Sequence, residues 1–300
     1  MKTYIKAYKK LKEDYIKITE SIDTLNHYSP VKKVRVLDSI HGVPAITLTK
    51  MHGEAVDGYY VDKTIIVNDE KCSTDDDVVL KDHNNHVAED FHNVGLTRLR
   101  CGLMTSVAIE ECMNLLGIKK IKRVGFIGNG KTNIQNTDCI HDIFKVNTFF
   151  IRGSKRNRSK NLEEFKKITG DASVDDTDDY RLLNECDVIV SCTSTCDPKD
   201  QISVKELNKP RIFIALDTGY LLDESFRKEC EAYSDDITQL NAYYHEEFIF
   251  DKDKVKLKQL MKDKTVNKER ICVYMFGISF ADAEVAEMLY RHVVNIEDID

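Results

Sequence analysis

The segment from residue 123 to residue 144 constrains the fold of this 300-residue chain more than any other segment. It begins with RVGFIG, a short apolar run that predicts a buried β-strand, and it ends with the helical pattern of Thr132–Phe144. Gly128-Asn129-Gly130 makes a tight turn between the strand and the helix. Because a strand that passes through such a turn into a helix opens a βαβ unit, the segment predicts a parallel sheet.

Apolar strands and helical segments continue to alternate after this unit. The predicted strands are VNTFFI, DVIVSCTS over Asp187–Ser194, RIFIALDT over Arg211–Thr218, and ICVYMFG, which runs into a final helix, FADAEVAEMLYRHV. This alternation is typical of α/β proteins in which helices cover a parallel sheet. We therefore predict an α/β fold for the second half of the chain.

The first part of the chain has a different pattern. Apolar residues at helical spacing predict one amphipathic helix over Lys2–Leu25. From Lys33 to Val94, short β-rich runs alternate with Gly, Asp and Asn clusters, which predicts a mostly antiparallel sheet. Within it, Ser73–Asp77 (STDDD) is predicted to be a solvated turn. A further helix is predicted from Leu96 to a stop at Gly117.

Composition excludes several classes of protein. Acidic residues outnumber basic ones by 51 to 44, and a chain with a net charge of −7 lacks the positive field that non-specific nucleic-acid binding requires. No apolar run reaches the roughly 18 residues of a membrane span. The charged start, MKTYIKAYKKLKEDY, lacks the apolar middle of a signal peptide. We therefore expect a cytoplasmic protein of one large domain or two domains that binds neither nucleic acid nor membranes.

Cysteine and histidine are the candidate metal ligands. The nine cysteines are scattered and mostly lie in apolar runs, so we expect buried, reduced thiols. Cys192 and Cys196 are four residues apart, but no second pair of ligands lies near them in the sequence. His83, His86 and His92 are expected to be solvated loop residues. The sequence therefore predicts no metal site.

The glycine turn is a candidate dinucleotide-binding site. The first glycine permits the turn, the second lets a pyrophosphate approach the backbone, and the helix N-terminus offers free N–H groups to that anion. The usual G-x-G-x-x-G/A pattern has a third small residue, and Asn133 stands there, so we expect a looser helix–strand contact or a shifted turn. The candidate contacts are Gly128, Asn129, Gly130, Lys131 and Thr132. Thr193 and Ser194 either contact the cofactor's ribose or nicotinamide, or cap a turn.

The residues after the second strand of the unit distinguish the two nicotinamide nucleotides. An acid there binds the ribose 2′-hydroxyl of NAD, whereas arginine accommodates the 2′-phosphate of NADP. The segment Ile151–Arg158 contains no acid, and its donors are Arg152, Ser154, Lys155, Arg156 and Arg158. A solvated basic loop before a helix is the alternative interpretation. Because this local positive charge stands in an acidic chain, we favour NADP(H), with NAD(H) as the second choice.

Four stretches of the sequence carry a family resemblance. They are Leu96-Thr-Arg-Leu-Arg100-Cys-Gly-Leu, the Val124–Asn133 turn, Asp187–Ser194 followed by IFIALDT, and the closing ICVYMFGISFADAEVAEMLY. Tyr60-Val-Asp-Lys63 is a shorter fifth match. In this order and spacing the stretches resemble the ornithine cyclodeaminase/μ-crystallin family, and the chain looks like a divergent member.

The resemblance implies two domains that are not consecutive in the chain. An α+β substrate-binding and dimerisation domain comprises residues 1–116 and 280–300, and a Rossmann dinucleotide-binding domain comprises residues 117–279.

The implied protein is a homodimeric NAD(P)(H)-dependent oxidoreductase that acts on the C–N bond of an amino acid or of the α-imine formed from a keto acid. The alternative within the family is an ornithine or lysine cyclodeaminase that releases ammonia and recycles its bound nucleotide. A nucleotide-binding protein without useful catalysis is the third hypothesis.

The same resemblance assigns roles to four charged residues. Arg100 matches the carboxylate-binding arginine of the family, and a guanidinium fork suits a carboxylate. Lys63 is implied to help bind that carboxylate or to polarise the imine, and Asp217 to act as the acid or base at the amine or at water. Asp282 is implied to orient the last helix. The alternatives are an exposed arginine that pairs with an acid at a helix start, an exposed strand lysine and an N-cap aspartate.

Overall fold

The computed structural model describes residues 4–40, 43–68, 73–92, 95–154, 158–193, 201–203, 205–217, 219, 221–242, 257–262 and 265–291. The chain divides into two compact units. The first unit comprises Met1–Met104, Asp236–Glu246 and Gly277–Asp300, and the second comprises Thr105–Asp235 and Glu247–Phe276. No helix within the described ranges has the length and apolar character needed to cross a membrane.

The helices and strands have the following bounds. The helices are α1 Tyr4–Ile18, α2 Ile22–Tyr28, α3 Leu96–Leu116, α4 Lys131–Phe144, α5 Arg158–Thr169, α6 Tyr180–Leu183, α7 Glu224–Glu229 and α8 Ser279–Tyr290. The strands are β1 Lys33–Ile40, β2 Val43–Glu54, β3 Tyr60–Asn68, β4 Ser73–Lys81, β5 Val87–Asp90, β6 Arg123–Ile127, β7 Thr148–Arg152, β8 Ser173–Asp176, β9 Val188–Ser191, β10 Ile212–Ala215, β11 Cys230–Ser234, β12 Lys258–Gln259 and β13 Arg270–Tyr274.

The N-terminal segment forms two helices, so the prediction of a single helix over Lys2–Leu25 is wrong. The first helix, α1, ends at Ile18. Directly after it, Thr19 donates its hydroxyl to the carbonyl of Tyr15 at 2.9 Å, a bond that competes with helix continuation. Ser21 then starts α2 as its N-cap by accepting a hydrogen bond from the backbone N–H of Thr24 at 3.0 Å.

The first unit contains a five-stranded antiparallel sheet in which β1 to β5 are neighbours in chain order. The predicted antiparallel sheet is therefore confirmed. The predicted solvated turn at Ser73–Asp77 is wrong, because this segment begins β4 and pairs with β3 from Thr64 to Asn68. Asp75 and Asp77 are exposed in that strand, whereas Asp76 is buried and accepts a hydrogen bond from the Thr97 hydroxyl.

The last helix, α8, belongs to the first unit and packs on its sheet. Gly53 of β2 permits the close approach, because a Cβ there would lie 2.1 Å from the carbonyl oxygen of Ser279. Every residue from Ser279 to Leu289 is buried. The helix therefore places the acids Asp282, Glu284 and Glu287 in the interior, where carboxylates need partners.

The second unit contains an eight-stranded sheet in the order β12-β11-β13-β10-β9-β6-β7-β8, and all of its described pairings are parallel. The stretch β8-β7-β6-β9-β10-β13 has the Rossmann strand order 3-2-1-4-5-6. Strands β9, β10 and β11 are buried at every position, as expected where both faces of a sheet are covered. The predicted α/β fold is confirmed.

Helix α3 connects the two patterns of the chain. It spans Leu96–Leu116 and ends at Gly117, whose φ of +66° suits glycine, so its predicted end is confirmed. The division between the two units falls inside this helix, between Met104 and Thr105. Helix α4 begins at Lys131, one residue before the predicted start.

Candidate functional site

Strand β6 lies where the order of strand addition reverses. Strands β7 and β8 lie on one side of it, and β9, β10 and β13 lie on the other. At such a switch point the loops at the carboxyl ends of the strands leave a crevice in which nucleotides bind. The Gly128-Asn129-Gly130 turn follows β6 at this position, and Cys192 and Thr193 follow β9.

The glycine turn is closely packed at its first residue and open at its last. Gly128 has a φ of +102°, and a Cβ there would lie 2.2 Å from the carbonyl oxygen of Cys192, so glycine is required. A Cβ at Gly130 would meet nothing within 4 Å. Gly130 is the N-cap of α4, and no side chain in the described part of the chain caps that end. Because exposed Lys131 and half-buried Thr132 begin the helix there, the turn and its N–H groups fit a pyrophosphate.

Asn133 stands where the glycine pattern has its third small residue. Its side chain is buried and donates hydrogen bonds to the carbonyls of Gly128 at 2.8 Å and Ile127 at 3.2 Å. Asn136 donates to the side-chain oxygen of Asn133 at 3.0 Å. The amide therefore joins α4 to the end of β6 through hydrogen bonds, in a position where a small residue would allow close packing.

The segment that follows β7 lies against the glycine turn. The backbone N–H of Gly128 donates to the carbonyl of Arg152 at 2.8 Å, and the Asn129 side chain donates to the carbonyl of Ser154 at 3.2 Å. A Cβ at Gly153 would lie 2.3 Å from Cγ of Asn129. The structure thus brings together Gly128, Asn129, Arg152 and Ser154. Other candidate nucleotide contacts lie outside the described residues: Lys155, Arg156 and Ser194.

Two arginines of this basic segment have different partners. Arg158, at the start of α5, pairs with Asp176 and also binds both carboxylate oxygens of Asp178 at 3.0 Å. Arg152 makes no carboxylate pair among the described residues, and its guanidinium lies 4.4 Å from the ring centre of Tyr180. Of these two arginines, Arg152 is the one whose charge is available to bind a phosphate, because the charge of Arg158 is already balanced.

Asp217, which follows β10, is held by donors from two directions. The Ser191 hydroxyl donates to Oδ1 at 3.0 Å, the Thr193 hydroxyl donates to Oδ2 at 3.0 Å, and the backbone N–H groups of Thr193 and Gly219 each donate at 3.3 Å. Burial raises the pKa of Asp217 above its usual range, although these hydrogen bonds oppose the shift. These hydrogen bonds therefore orient the Asp217 carboxylate, and the Thr193 hydroxyl is one of their donors.

Lys63, Arg100 and Asp282 meet in the first unit, although they come from β3, α3 and α8. Lys63 Nζ donates to Oδ1 of Asp282 at 2.6 Å, and Nε of Arg100 donates to the same oxygen at 3.2 Å. The side chains of Lys63 and Asp282 are fully buried, and that of Arg100 is 7% exposed. Asp282, which the family motif assigns to orienting the last helix, is here the shared partner of two cations.

A third cation, Lys32, lies beside this group. A Cβ at Gly277 would lie 2.9 Å from Nζ of Lys32 and 3.1 Å from one terminal nitrogen of Arg100. We call Lys32, Lys63, Arg100 and Asp282 the cation cluster. Nothing in the sequence distinguishes Lys32 from the neighbouring Lys33, so sequence reasoning missed it.

The cation cluster shifts the pKa values of its own members. Burial lowers the pKa of Lys63, and the nearby Arg100 lowers it further against the opposing attraction of Asp282. Burial by itself would raise the pKa of Asp282, but the charges of the three cations outweigh burial and lower it. The charge of buried Asp76 also acts on Lys63, and the three cations still outnumber these two carboxylates, so the cluster suits a ligand that carries a carboxylate of its own.

The candidate metal ligands have other surroundings. His92 is exposed and its Nδ1 lies 2.6 Å from Oδ1 of Asp77, a hydrogen bond that raises the pKa of His92. Within the described ranges no group of three or more His, Cys, Asp and Glu side chains could hold a metal ion. None of the described cysteines forms a disulfide bond: Cys101, Cys112, Cys139, Cys186, Cys192, Cys230 and Cys272.

Comparison with known proteins finds similarity in structure. No family model matches the sequence, and no curated protein matches it. The Δ1-pyrroline-2-carboxylate reductase of Thermococcus litoralis, solved with NADH and L-proline, matches with a TM-score of 0.74 and 14% identity over 96% of this chain and 92% of that one. A lysine cyclodeaminase matches with a TM-score of 0.72 and 16% identity over 97% and 86% of the two chains. The iminosuccinate reductase of Paracoccus denitrificans, solved with NAD+, matches with a TM-score of 0.72 and 16% identity over 98% of this chain and 92% of that one.

This chain shares their fold. The α/β fold implied by the short motifs is thereby confirmed. Sequence identities of 14 to 16% show a common fold, whereas the function of this chain depends on its own residues. Sequence reasoning placed Arg100, Lys63 and Asp217 among those residues, but it missed Lys32 and the partners of Asp217 and Arg152.

Proposed function

We propose that this chain is a nicotinamide-nucleotide-dependent oxidoreductase that acts on the C–N bond of a small amino acid or of its α-imine. The observation that carries the proposal is that one chain contains both a turn suited to a nucleotide and a cluster suited to a substrate carboxylate. The glycine turn suits a pyrophosphate, and the cation cluster suits a carboxylate. The shared fold with a Δ1-pyrroline-2-carboxylate reductase and an iminosuccinate reductase supports this substrate class.

The nucleotide would be held by the glycine turn and the segment after β7. The backbone of Gly128, Asn129 and Gly130 and the N-terminus of α4 would bind the pyrophosphate, while Arg152 and Ser154 would bind the adenosine ribose. When bound, the nicotinamide supplies or accepts the hydride of the reaction. We favour NADP(H) because Arg152 has no carboxylate partner among the described residues, and NAD(H) is the alternative. Lys155, Arg156 and Ser194 would add to this site.

The substrate carboxylate would be bound by the cation cluster. The planar guanidinium of Arg100 can donate two parallel hydrogen bonds to it, and Lys32 and Lys63 add positive charge. The lowered pKa of Lys63 makes its ammonium a better proton donor, which suits a group that polarises an imine. Asp282 would hold Lys63 and Arg100 in position through the oxygen that both contact.

Asp217 would move the proton at the substrate nitrogen. Its raised pKa brings a carboxyl group closer to the neutral range in which a general acid or base is effective. The hydrogen bonds from Ser191, Thr193 and Gly219 would keep its oxygens in place during that transfer.

Cyclodeamination of ornithine or lysine is the second candidate function. The fold shared with a lysine cyclodeaminase favours it, and the same carboxylate and proton-transfer groups would serve it. In that reaction the nucleotide is regenerated within each turnover. Ammonia release from ornithine or lysine, without a net change in nicotinamide absorbance, would select this alternative.

The organisation of the protein belongs to the same proposal. We assign residues 1–116 and 280–300 to substrate binding and dimerisation and residues 117–279 to nucleotide binding, in a cytoplasmic homodimer. The family resemblance supports these assignments. Light scattering of the purified chain tests the homodimer directly.

The test of the proposed function is an activity screen. Purified protein is given NADPH or NADH together with cyclic imino acids, or with 2-oxo acids and amines, and the loss of reduced-nicotinamide absorbance is followed. We expect turnover with at least one pair, and we expect Asp217→Asn to abolish it while nucleotide affinity stays the same. If the wild-type chain binds neither nucleotide, the proposal is wrong.

A further inference from the structure

Tyr180 is a residue to which neither the motifs nor the proposed reaction assigns a role. It is half-buried and opens the short helix α6 directly after Asp179. Its ring lies under the guanidinium of Arg152, with 4.4 Å between the guanidinium carbon and the ring centre. This distance is well within the range of a cation–π contact.

Arg152 contacts the ring of Tyr180 and pairs with no carboxylate among the described residues. Nε of Arg152 is buried and has no hydrogen-bond partner in the described part of the chain. Arg158, by contrast, is held by Asp176 and Asp178. Stacking on a ring orients the plane of a guanidinium without neutralising its charge, so the terminal N–H groups of Arg152 stay free to bind an anion.

Hydrogen bonds of the backbone hold the segments that carry Arg152 and Tyr180. The carbonyl of Arg152 accepts from the backbone N–H of Gly128 at 2.8 Å, so Arg152 lies beside the glycine turn. On the other side, the backbone N–H of Thr177 donates to the carbonyl of Ile151 at 2.8 Å. The hydroxyl of Thr177 then accepts from the backbone N–H of Asp179 at 2.9 Å. The start of α6 is therefore tied to the end of the strand that carries Arg152.

We propose that Tyr180 is a positioning residue for nucleotide selection, whose ring holds Arg152 in the orientation that binds the 2′-phosphate of NADP(H). This inference rests on the proposed function, because it needs the nucleotide at the glycine turn. It explains how Arg152 can bind an anion in a region that also contains Asp176, Asp178 and Asp179. Those acids bind Arg158 and Arg181 and leave Arg152 to the ligand.

The test compares the affinities of NADPH and NADH, which differ by the 2′-phosphate, for four variants of the full chain by fluorescence titration. Arg152→Ala should weaken NADPH binding about 10- to 100-fold, as loss of charge-assisted hydrogen bonds does, and weaken NADH binding far less, because NADH lacks the 2′-phosphate. Tyr180→Leu should weaken NADPH binding about five- to tenfold with the same selectivity. Tyr180→Phe keeps the ring and should behave as wild type. Arg181→Ala is the matched control, because this neighbouring arginine is exposed and pairs with Asp179.

Each outcome decides between the two proposals. A Tyr180→Leu variant that keeps the wild-type ratio of NADPH to NADH affinity overturns the inference, and so does one that loses both nucleotides equally, since that result shows a structural role. A wild-type protein that binds NADH as tightly as NADPH also overturns it, while the proposed function stands. If neither nucleotide binds to the wild-type chain, the proposed function itself is wrong.

Discussion

The glycine turn and the cation cluster are built in different ways. The turn uses the backbone of consecutive residues, and a side chain as unlike glycine as Asn133 is accommodated through hydrogen bonds at its edge. The cation cluster uses side-chain charges from β3, α3, α8 and the residue before β1, with Arg100 and Asp282 separated by 182 positions and Lys63 and Asp282 by 219. A backbone site should therefore tolerate most substitutions that leave space, whereas a buried charge site should tolerate almost none.

The largest effect is expected in the cation cluster. Asp282→Ala should lower the free energy of unfolding by about 3–5 kcal/mol, because it leaves buried cations without their shared partner. Chemical denaturation measures this loss. Glu163→Ala removes an acid from an exposed ion pair with Lys166 and is the control, with no measurable change expected. If the two variants lose the same stability, the buried cations do not depend on Asp282 as their partner.

The glycine turn should separate stability from binding. Gly128→Ala should cost about 2–3 kcal/mol of stability, because of its positive φ and the nearby carbonyl of Cys192. Gly130→Ala should change stability by no more than about 1 kcal/mol, since there is open space around it, yet weaken nucleotide binding about tenfold. Thermal unfolding and nucleotide titration of the two variants measure both quantities. Equal nucleotide affinity for Gly130→Ala and wild type would contradict a pyrophosphate at this turn.

A smaller, pH-dependent effect is expected at Glu287, on the same helix as Asp282. Burial and the neighbouring Glu284 raise the pKa of Glu287 from 4.5 to about 7. Its folded state therefore holds the proton more tightly than the unfolded chain does. The resulting stabilisation is complete below about pH 4.5 and is lost as the pH rises through about 7.

Glu287→Gln tests this sign, because glutamine mimics the protonated acid at every pH. We expect the variant to match wild type near pH 4 and to be more stable by about 1–2 kcal/mol near pH 8. Denaturation curves at the two pH values measure the difference. A variant that is less stable than wild type at the higher pH would show that the ion pair of Glu287 with Arg291 dominates instead.

The sequence predicted the local features of both regions better than the long-range ones. The strand, turn and helix around Gly128 and the end of α3 at Gly117 follow from turn chemistry and periodicity, which act over a few residues. The STDDD segment was misassigned because strand pairing with β3 outweighs its turn-like composition. Lys32 and Tyr180 had no local signal at all. Folding alone brings Lys32 close to Asp282 and places Tyr180 against Arg152.

The substrate KM and the nucleotide Kd of Arg100→Ala, measured side by side, test the central claim most directly. The claim is that the cation cluster binds the substrate carboxylate and the glycine turn binds the nucleotide. With the best substrate of the activity screen, we predict a KM raised about 100-fold, as expected for loss of a bidentate charged pair, and an unchanged Kd for NADPH. An Arg100→Ala variant whose substrate KM equals that of wild type would contradict the account.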